Sequence, residues 1–104
     1  MNNVNIIGTV YKNRNVEVSH PNLKIVKADL MSLEKCKELV KGVDAIIHCA
    51  ALSGGAKKQI DFKVEIVTKN VIMTMNILEA AALESVSYFG FIGSSTMYPG
   101  VEYP

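Results

Sequence analysis

Cysteine is scarce in this chain: Cys36 and Cys49 are the only two in 104 residues, and neither has the cysteine or histidine partners that zinc spacing requires. A disulfide-stapled secreted scaffold and a structural zinc site are excluded, and a reducing cytoplasm is the expected compartment. An excess of one charge is also missing. Eleven basic and 10 acidic residues are interspersed for a net charge of +1, leaving no electrostatic footprint for nucleic acid or an anionic membrane. No apolar run is read as approaching the roughly 20 residues of a membrane span, and Met1-Asn2-Asn3 opens with neither a basic nor a long apolar segment. No membrane or export route is therefore expected. Repeats, low-complexity tracts and linkers are absent, so residues 1–104 are read as one domain.

Two chemical motifs are absent too. The glycines stand at positions 8, 42, 54, 55, 90, 93 and 100, and no arrangement of them gives the G-x-G-x-x-G turn that cradles a dinucleotide pyrophosphate. The residues four after Tyr11, Tyr88 and Tyr98 are Asn15, Ile92 and Glu102, so there is no Tyr-x-x-x-Lys.

What the chain does contain is a succession of short β-rich runs and helical stripes. Val4 to Tyr11 and Leu23 to Ala28 read as strands, separated by the turn chemistry of Ser19-His20-Pro21-Asn22. Ser32 is a candidate N-cap for a helix whose stripe is Leu33, Cys36, Leu39 and Val40, with Gly42 as its stop. The run Ala45 to Cys49 reads as a strand with no solvated face, as in a parallel sheet covered on both sides. A long helix follows from Lys63 to Leu83, with Val64, Val67, Val71, Met75, Leu78 and Ala82 on one side and Ile66, Ile72, Met73 and Ile77 widening the buried face. Tyr88 to Ile92 is the last strand. The order strand, strand, helix, strand, helix, strand predicts half of a doubly wound α/β fold, a partial Rossmann-type parallel sheet.

Three segments at strand exits are placed to do chemistry: Ala28-Asp29-Leu30, His48-Cys49-Ala50-Ala51, and Gly93-Ser94-Ser95-Thr96-Met97-Tyr98-Pro99. In open α/β sheets ligands lie beyond the carboxyl ends of the strands, and the side-chain-poor stretch Ala50-Ala51 with Gly54-Gly55 lets a flat cofactor approach the backbone. A tight core turn would need the same small residues. Together with Asn70-Val71 and Asn76-Ile77-Leu78-Glu79-Ala80-Ala81 on the long helix, these segments resemble the extended short-chain dehydrogenase/reductase family, the nucleotide-sugar epimerases, dehydratases and reductases. Within it, Gly54-Gly55 and the ending through Tyr98-Pro99 resemble the GDP-fucose synthase and GDP-mannose epimerase branch.

The resemblance implies NAD(P)-dependent hydride transfer on a nucleotide sugar, with Asp29 bonding the adenine amino group and Leu30 packing beside the ring. Otherwise Asp29 is a charge at a helix N-terminus, worth a few tenths of a kcal/mol to roughly 1. Cys49, Ala50 and Ala51 would run under the ribose and nicotinamide, and Asn70 joins the cofactor-binding set. His48 reads as a satisfied core residue. Ser94 matches the serine that hydrogen-bonds the sugar oxygen undergoing redox, since a hydroxyl can donate to a developing oxyanion without adding charge. Thr96 stands where fucose-synthase relatives carry a cysteine acid/base, and a threonine hydroxyl does not titrate near neutral pH; Ser95 and Thr96 can also satisfy backbone groups.

At the first strand exit no acidic residue is present to hold a ribose 2′-hydroxyl. Lys12 and Arg14 stand there instead, which favours NADP over NAD unless they form an ordinary solvated turn. The resemblance further implies the strand order 3-2-1-4-5, in which the strands at Val4–Tyr11 and Ala45–Cys49 flank a central strand this chain does not supply. The gap is expected to be filled by an edge from a second copy in a homo-oligomer; otherwise Val4–Tyr11 pairs directly with Ala45–Cys49, or the chain is a mobile, aggregation-prone globule. Two other readings stay open: a Rossmann-like binding or regulatory protein without catalysis, and a truncated product inactive alone.

Overall fold

The computed structural model describes residues 4–12, 16–52, 56–61, 63–93 and Gly100. Its elements in chain order are β1 (Ile6–Val10), β2 (Leu23–Lys27), α1 (Leu33–Val40), β3 (Ala45–His48), α2 (Ala56–Asp61), α3 (Lys63–Leu83) and β4 (Tyr88–Phe91). All the helices and strands expected from the sequence are present, together with one short helix, α2, that the sequence reading did not anticipate.

Local chemistry explains the boundaries. Ser32 caps α1, its hydroxyl accepting from the Lys35 backbone N–H at 3.3 Å, and Glu34 stands in the first turn where the helix dipole favours a negative charge. The stop comes at Gly42, whose φ of 72° lies in the left-handed region open to glycine. Gly8 has a different role. A Cβ there would sit 3.0 Å from Ile25 Cδ1, so its bare backbone lets Ile25 of the neighbouring strand fold over β1.

The strands pair in parallel, β1 with β2 from Ile6 opposite Leu23, and β3 with β4 from Ala45 opposite Tyr88. These are two separate two-stranded sheets: among the described residues no ladder joins β1 or β2 to β3 or β4. The gap expected from the strand order is not closed by β1 moving over to pair with β3.

The core lies between α1, α3 and one face of the β3–β4 pair. Leu30, Cys36, Val40, Ile77 and Ala80 are buried there, with Ala28, Leu39, Ile46, Met73, Val86 and Phe89 packed against them. No β1 residue belongs to that cluster.

Three expectations need correction. β3 is not covered on both sides: His48 is buried, but Ile47 is 69% exposed, because the helices cover one face and β4 takes only one edge. On α3, the stripe Val64, Val67, Val71, Met75 and Leu78 is exposed, while Ile77, Ala80 and Ala81 on the opposite side are buried with Ile66 and Met73 partly so. At about 100° per residue the exposed stripe spans roughly an 80° arc, so α3 has two opposed apolar faces and packing against α1 selects one. Finally, α3 is long and apolar enough, by length and composition, to cross a membrane, where no apolar run of that length was expected. The same test is passed by core helices of soluble proteins.

Candidate active site at the strand exits

The exits of β1 and β2 converge because their parallel register is in phase. Val10 lies opposite Lys27, and the Ala28 N–H donates to the Val10 carbonyl at 2.9 Å. Beyond this pair lies a groove of about 140 Å³ lined by Tyr11, Lys12, Lys27, Ala28, Asp29 and Lys35. Lys12 turns into it with a φ of 60°, unusual for a side-chain-bearing residue, and its ammonium stands 5.3 Å from the Tyr11 ring centroid in cation–π contact.

The groove therefore unites Lys12 and Asp29, two of the residues expected to bind a cofactor, and adds two lysines that sequence reasoning missed. Lys27 enters because it is the register partner of Val10. Lys35 enters because it lies in the first turn of α1, and it also pairs with Glu38 at 3.6 Å across exposed surface. The place of Lys27 exists only once the strands are paired.

Asp29 closes a tight turn. Its carboxylate accepts from the Met31 N–H at 3.0 Å while its carbonyl accepts from the Ser32 N–H at 3.1 Å, so the residue that begins α1 is held at the mouth of the groove. Leu30 turns its side chain into the core and is 8% exposed. Its carbonyl accepts from Asn76 Nδ2 at 2.9 Å and from Cys36 Sγ at 3.6 Å. Burial pushes the Cys36 thiol pKa up, with the Asp29 carboxylate adding to the effect.

The β3 exit is built differently. His48 is 4% exposed, its Nε2 3.0 Å from Thr74 Oγ1, and its ring lies 6.1 and 5.9 Å from the rings of Phe89 and Phe91. Burial lowers its pKa, and with its polar atom matched to a helix hydroxyl it is a satisfied core residue, as expected. Cys49, Ala50 and Ala51 then emerge exposed and small. Leu52 follows, half-buried, and both its backbone groups meet one side chain. The Leu52 N–H donates to Asn70 Oδ1 at 2.6 Å, and Asn70 Nδ2 donates to the Leu52 carbonyl at 3.0 Å.

Arg14, Ser94 and Thr96 lie outside the described residues. A larger, open groove of about 600 Å³ runs between Met31, α2 and the first turns of α3, lined by Ile60, Val64, Thr68 and Ile72 among others. It contains none of the expected site residues. No group of three or more potential metal ligands occurs among the described residues.

A family model described as the NAD dependent epimerase/dehydratase family matches residues 2–104. The chain belongs to this family. Over 85 residues it is 31% identical to a 3 beta-hydroxysteroid dehydrogenase/Delta 5-->4-isomerase of Mycobacterium tuberculosis, a match covering 79% of this chain and 23% of that protein. Over 71 residues it is 30% identical to a GDP-mannose 3,5-epimerase of Arabidopsis thaliana, covering 68% of this chain and 19% of the relative. Among solved structures, the dTDP-glucose 4,6-dehydratase of Streptomyces venezuelae, crystallised with NAD bound, superposes with a TM-score of 0.61 at 28% identity, covering 67% of this chain and 21% of that one. The chain thus spans about a fifth of the length of these relatives.

Proposed function

We propose that this chain is the NADP-holding portion of an enzyme that acts on a nucleotide sugar. The observation that carries this reading is the groove at the β1 and β2 exits, which sets the Asp29 carboxylate among Lys12, Lys27 and Lys35. A carboxylate suits an adenine amino group, and a cluster of ammonium groups beside it suits the ribose 2′-phosphate that distinguishes NADP from NAD. Family membership supports a nicotinamide cofactor, and the exposed small residues Cys49, Ala50 and Ala51 fit a flat ring lying across them. The bound cofactor would take up and return a hydride at a sugar carbon. Ser94 would donate a hydrogen bond to that carbon's oxygen as charge develops on it, and Asn70 holds the Leu52 backbone that follows Ala50 and Ala51. The GDP-mannose and dTDP-glucose enzymes among the relatives support a nucleotide sugar over other substrates.

Calorimetric titration of the 104-residue chain with NADP⁺ and NAD⁺ tests this. Binding weaker than micromolar is expected, because the sequence contains no glycine turn for the pyrophosphate. NADP⁺ should bind roughly ten-fold tighter than NAD⁺, a difference of about 1.4 kcal/mol, and Lys12→Glu with Lys35→Glu should erase it. Equal affinities in the parent chain would sink the NADP reading. A second reading, a binding protein without catalysis, draws on the missing Tyr-x-x-x-Lys. It predicts nucleotide affinity with no turnover even in a longer protein that contains this chain.

A further inference from the structure

Among the described residues the two sheets share no ladder, yet their exits are held to the same helix by side chains. The geometry points to Asn70 and Asn76 as positioning residues that make α3 the gauge setting where the β2 and β3 exits stand relative to each other.

The argument begins with unmet backbone groups. Among the described residues β3 is paired only with β4, and the last rung is the Ile92 N–H donating to the His48 carbonyl at 3.3 Å. Four residues further on, Leu52 still has a donor and an acceptor to satisfy. The Asn70 carboxamide supplies one of each at 2.6 and 3.0 Å, reproducing a rung of ladder with a side chain. At the other exit, the Leu30 carbonyl takes the Asn76 amide at 2.9 Å, across 46 residues of sequence. Between the two asparagines, Thr74 meets His48 at the end of β3.

Asparagine is a poor helix former because its side chain competes for backbone groups. Two of them within seven residues of one helix, each spending its amide on a strand exit, indicate a role other than helix formation. Asn70 and Asn76 lie about 9 Å apart along the axis at 1.5 Å per residue, on different sides of the buried face, so each reaches a separate exit. A rigid helix therefore fixes a separation that no strand pairing among the described residues fixes. This assigns Asn70 a backbone partner rather than a direct ligand. The consequence for cofactor binding rests on the proposed function; the fastening itself does not.

The test is residue-resolved amide exchange on the full chain with Asn70→Leu and Asn76→Leu, followed by titration with NADP⁺ and with 2′-phospho-AMP, which lacks the nicotinamide half. Asn70→Leu should speed exchange at Leu52 by ten-fold or more while leaving Met31 and Ser32 unchanged. Asn76→Leu should do the reverse. NADP⁺ affinity should fall about ten-fold in both variants, but 2′-phospho-AMP affinity only in Asn76→Leu, because that fragment reaches only the β2 exit. Should a leucine variant fail to fold, Asn70→Ser and Asn76→Ser, too short to reach the same groups, give the same exchange measurement. Equal loosening of both exits in either variant, or none at either, overturns the proposal. If the parent chain binds neither nucleotide, the cofactor reading fails, while the exchange pattern still decides the role of the asparagines.

Discussion

The two half-sheets have similar strands and very different surroundings. β3 and β4 lie under α3: Ile46 and Phe89 pack against the buried cluster that holds Ile77 and Ala80, and His48 meets Thr74 of α3. β1 and β2 are as rich in isoleucine and valine, yet Ile6, Ile7 and Ile25 are exposed and no residue of β1 is buried. Strand hydrophobicity states what a segment would bury if covered; the helix layer decides what is covered. Core stability should therefore concentrate in the β3–β4 half, with the β1–β2 half attached through the Ala28–Leu30 exit.

The largest expected effect breaks the covered side. Ile77→Ala removes a side chain packed in the core cluster and should cost about 2–5 kcal/mol, the range for large-to-small changes that leave a cavity. Ile7→Ala on β1 should cost no more than about 0.5 kcal/mol, as for exposed positions away from special contacts. Denaturant midpoints at unchanged slope measure both. A comparable loss for Ile7→Ala would show that β1 is covered in solution.

The next effect is polar. Thr74→Val keeps the shape but leaves the His48 ring nitrogen buried without its 3.0 Å partner, at a cost of about 1–3 kcal/mol. The same histidine gives the covered half a pH dependence. Burial holds its folded pKa below the ordinary 6.5, so the unfolded chain binds the proton more readily than the folded one. The stability this confers is full above about pH 6.5, declines as pH falls from there towards the lowered folded value, and is gone below it. Thermal midpoints between pH 8 and 5 should decline in the parent chain and decline less in His48→Leu. Parallel curves would remove His48 as the cause.

Much of this architecture was legible in the sequence where local chemistry decides it. Ser32, Gly42 and the alternation of β-rich runs with helical stripes placed α1, α3 and four strands to within a residue or two. The long-range pieces were not legible. Apolar residues encircle α3 too completely for periodicity to choose the inward face, and packing against α1 chose the side carrying Ile77 over the one carrying Val71. Lys27 and Lys35 carry no motif and join the groove only through strand register and the first turn of α1. Asn70 stood out as a family-like residue, but its bond to Leu52 joins positions 18 apart in sequence, a contact no local rule gives.

The smallest expected effect separates strand identity from exposure within the covered half itself. Ile47 sits between buried His48 and half-buried Ile46, yet points away from α3 on the same face as Ala45 and Tyr88. If coverage alone sets the energetics, Ile47→Thr should change stability by about 0.5 kcal/mol or less, matching Ile7→Ala, because both side chains already face solvent and threonine keeps the β-branch that suits a strand. Ile46→Thr, one residue away, should cost several times more, since it carries a hydroxyl to the helix-facing side. Equal losses at positions 46 and 47 would mean that the outer face of β3 is covered in solution, and the contrast between the two half-sheets would then lie in something other than the helix layer.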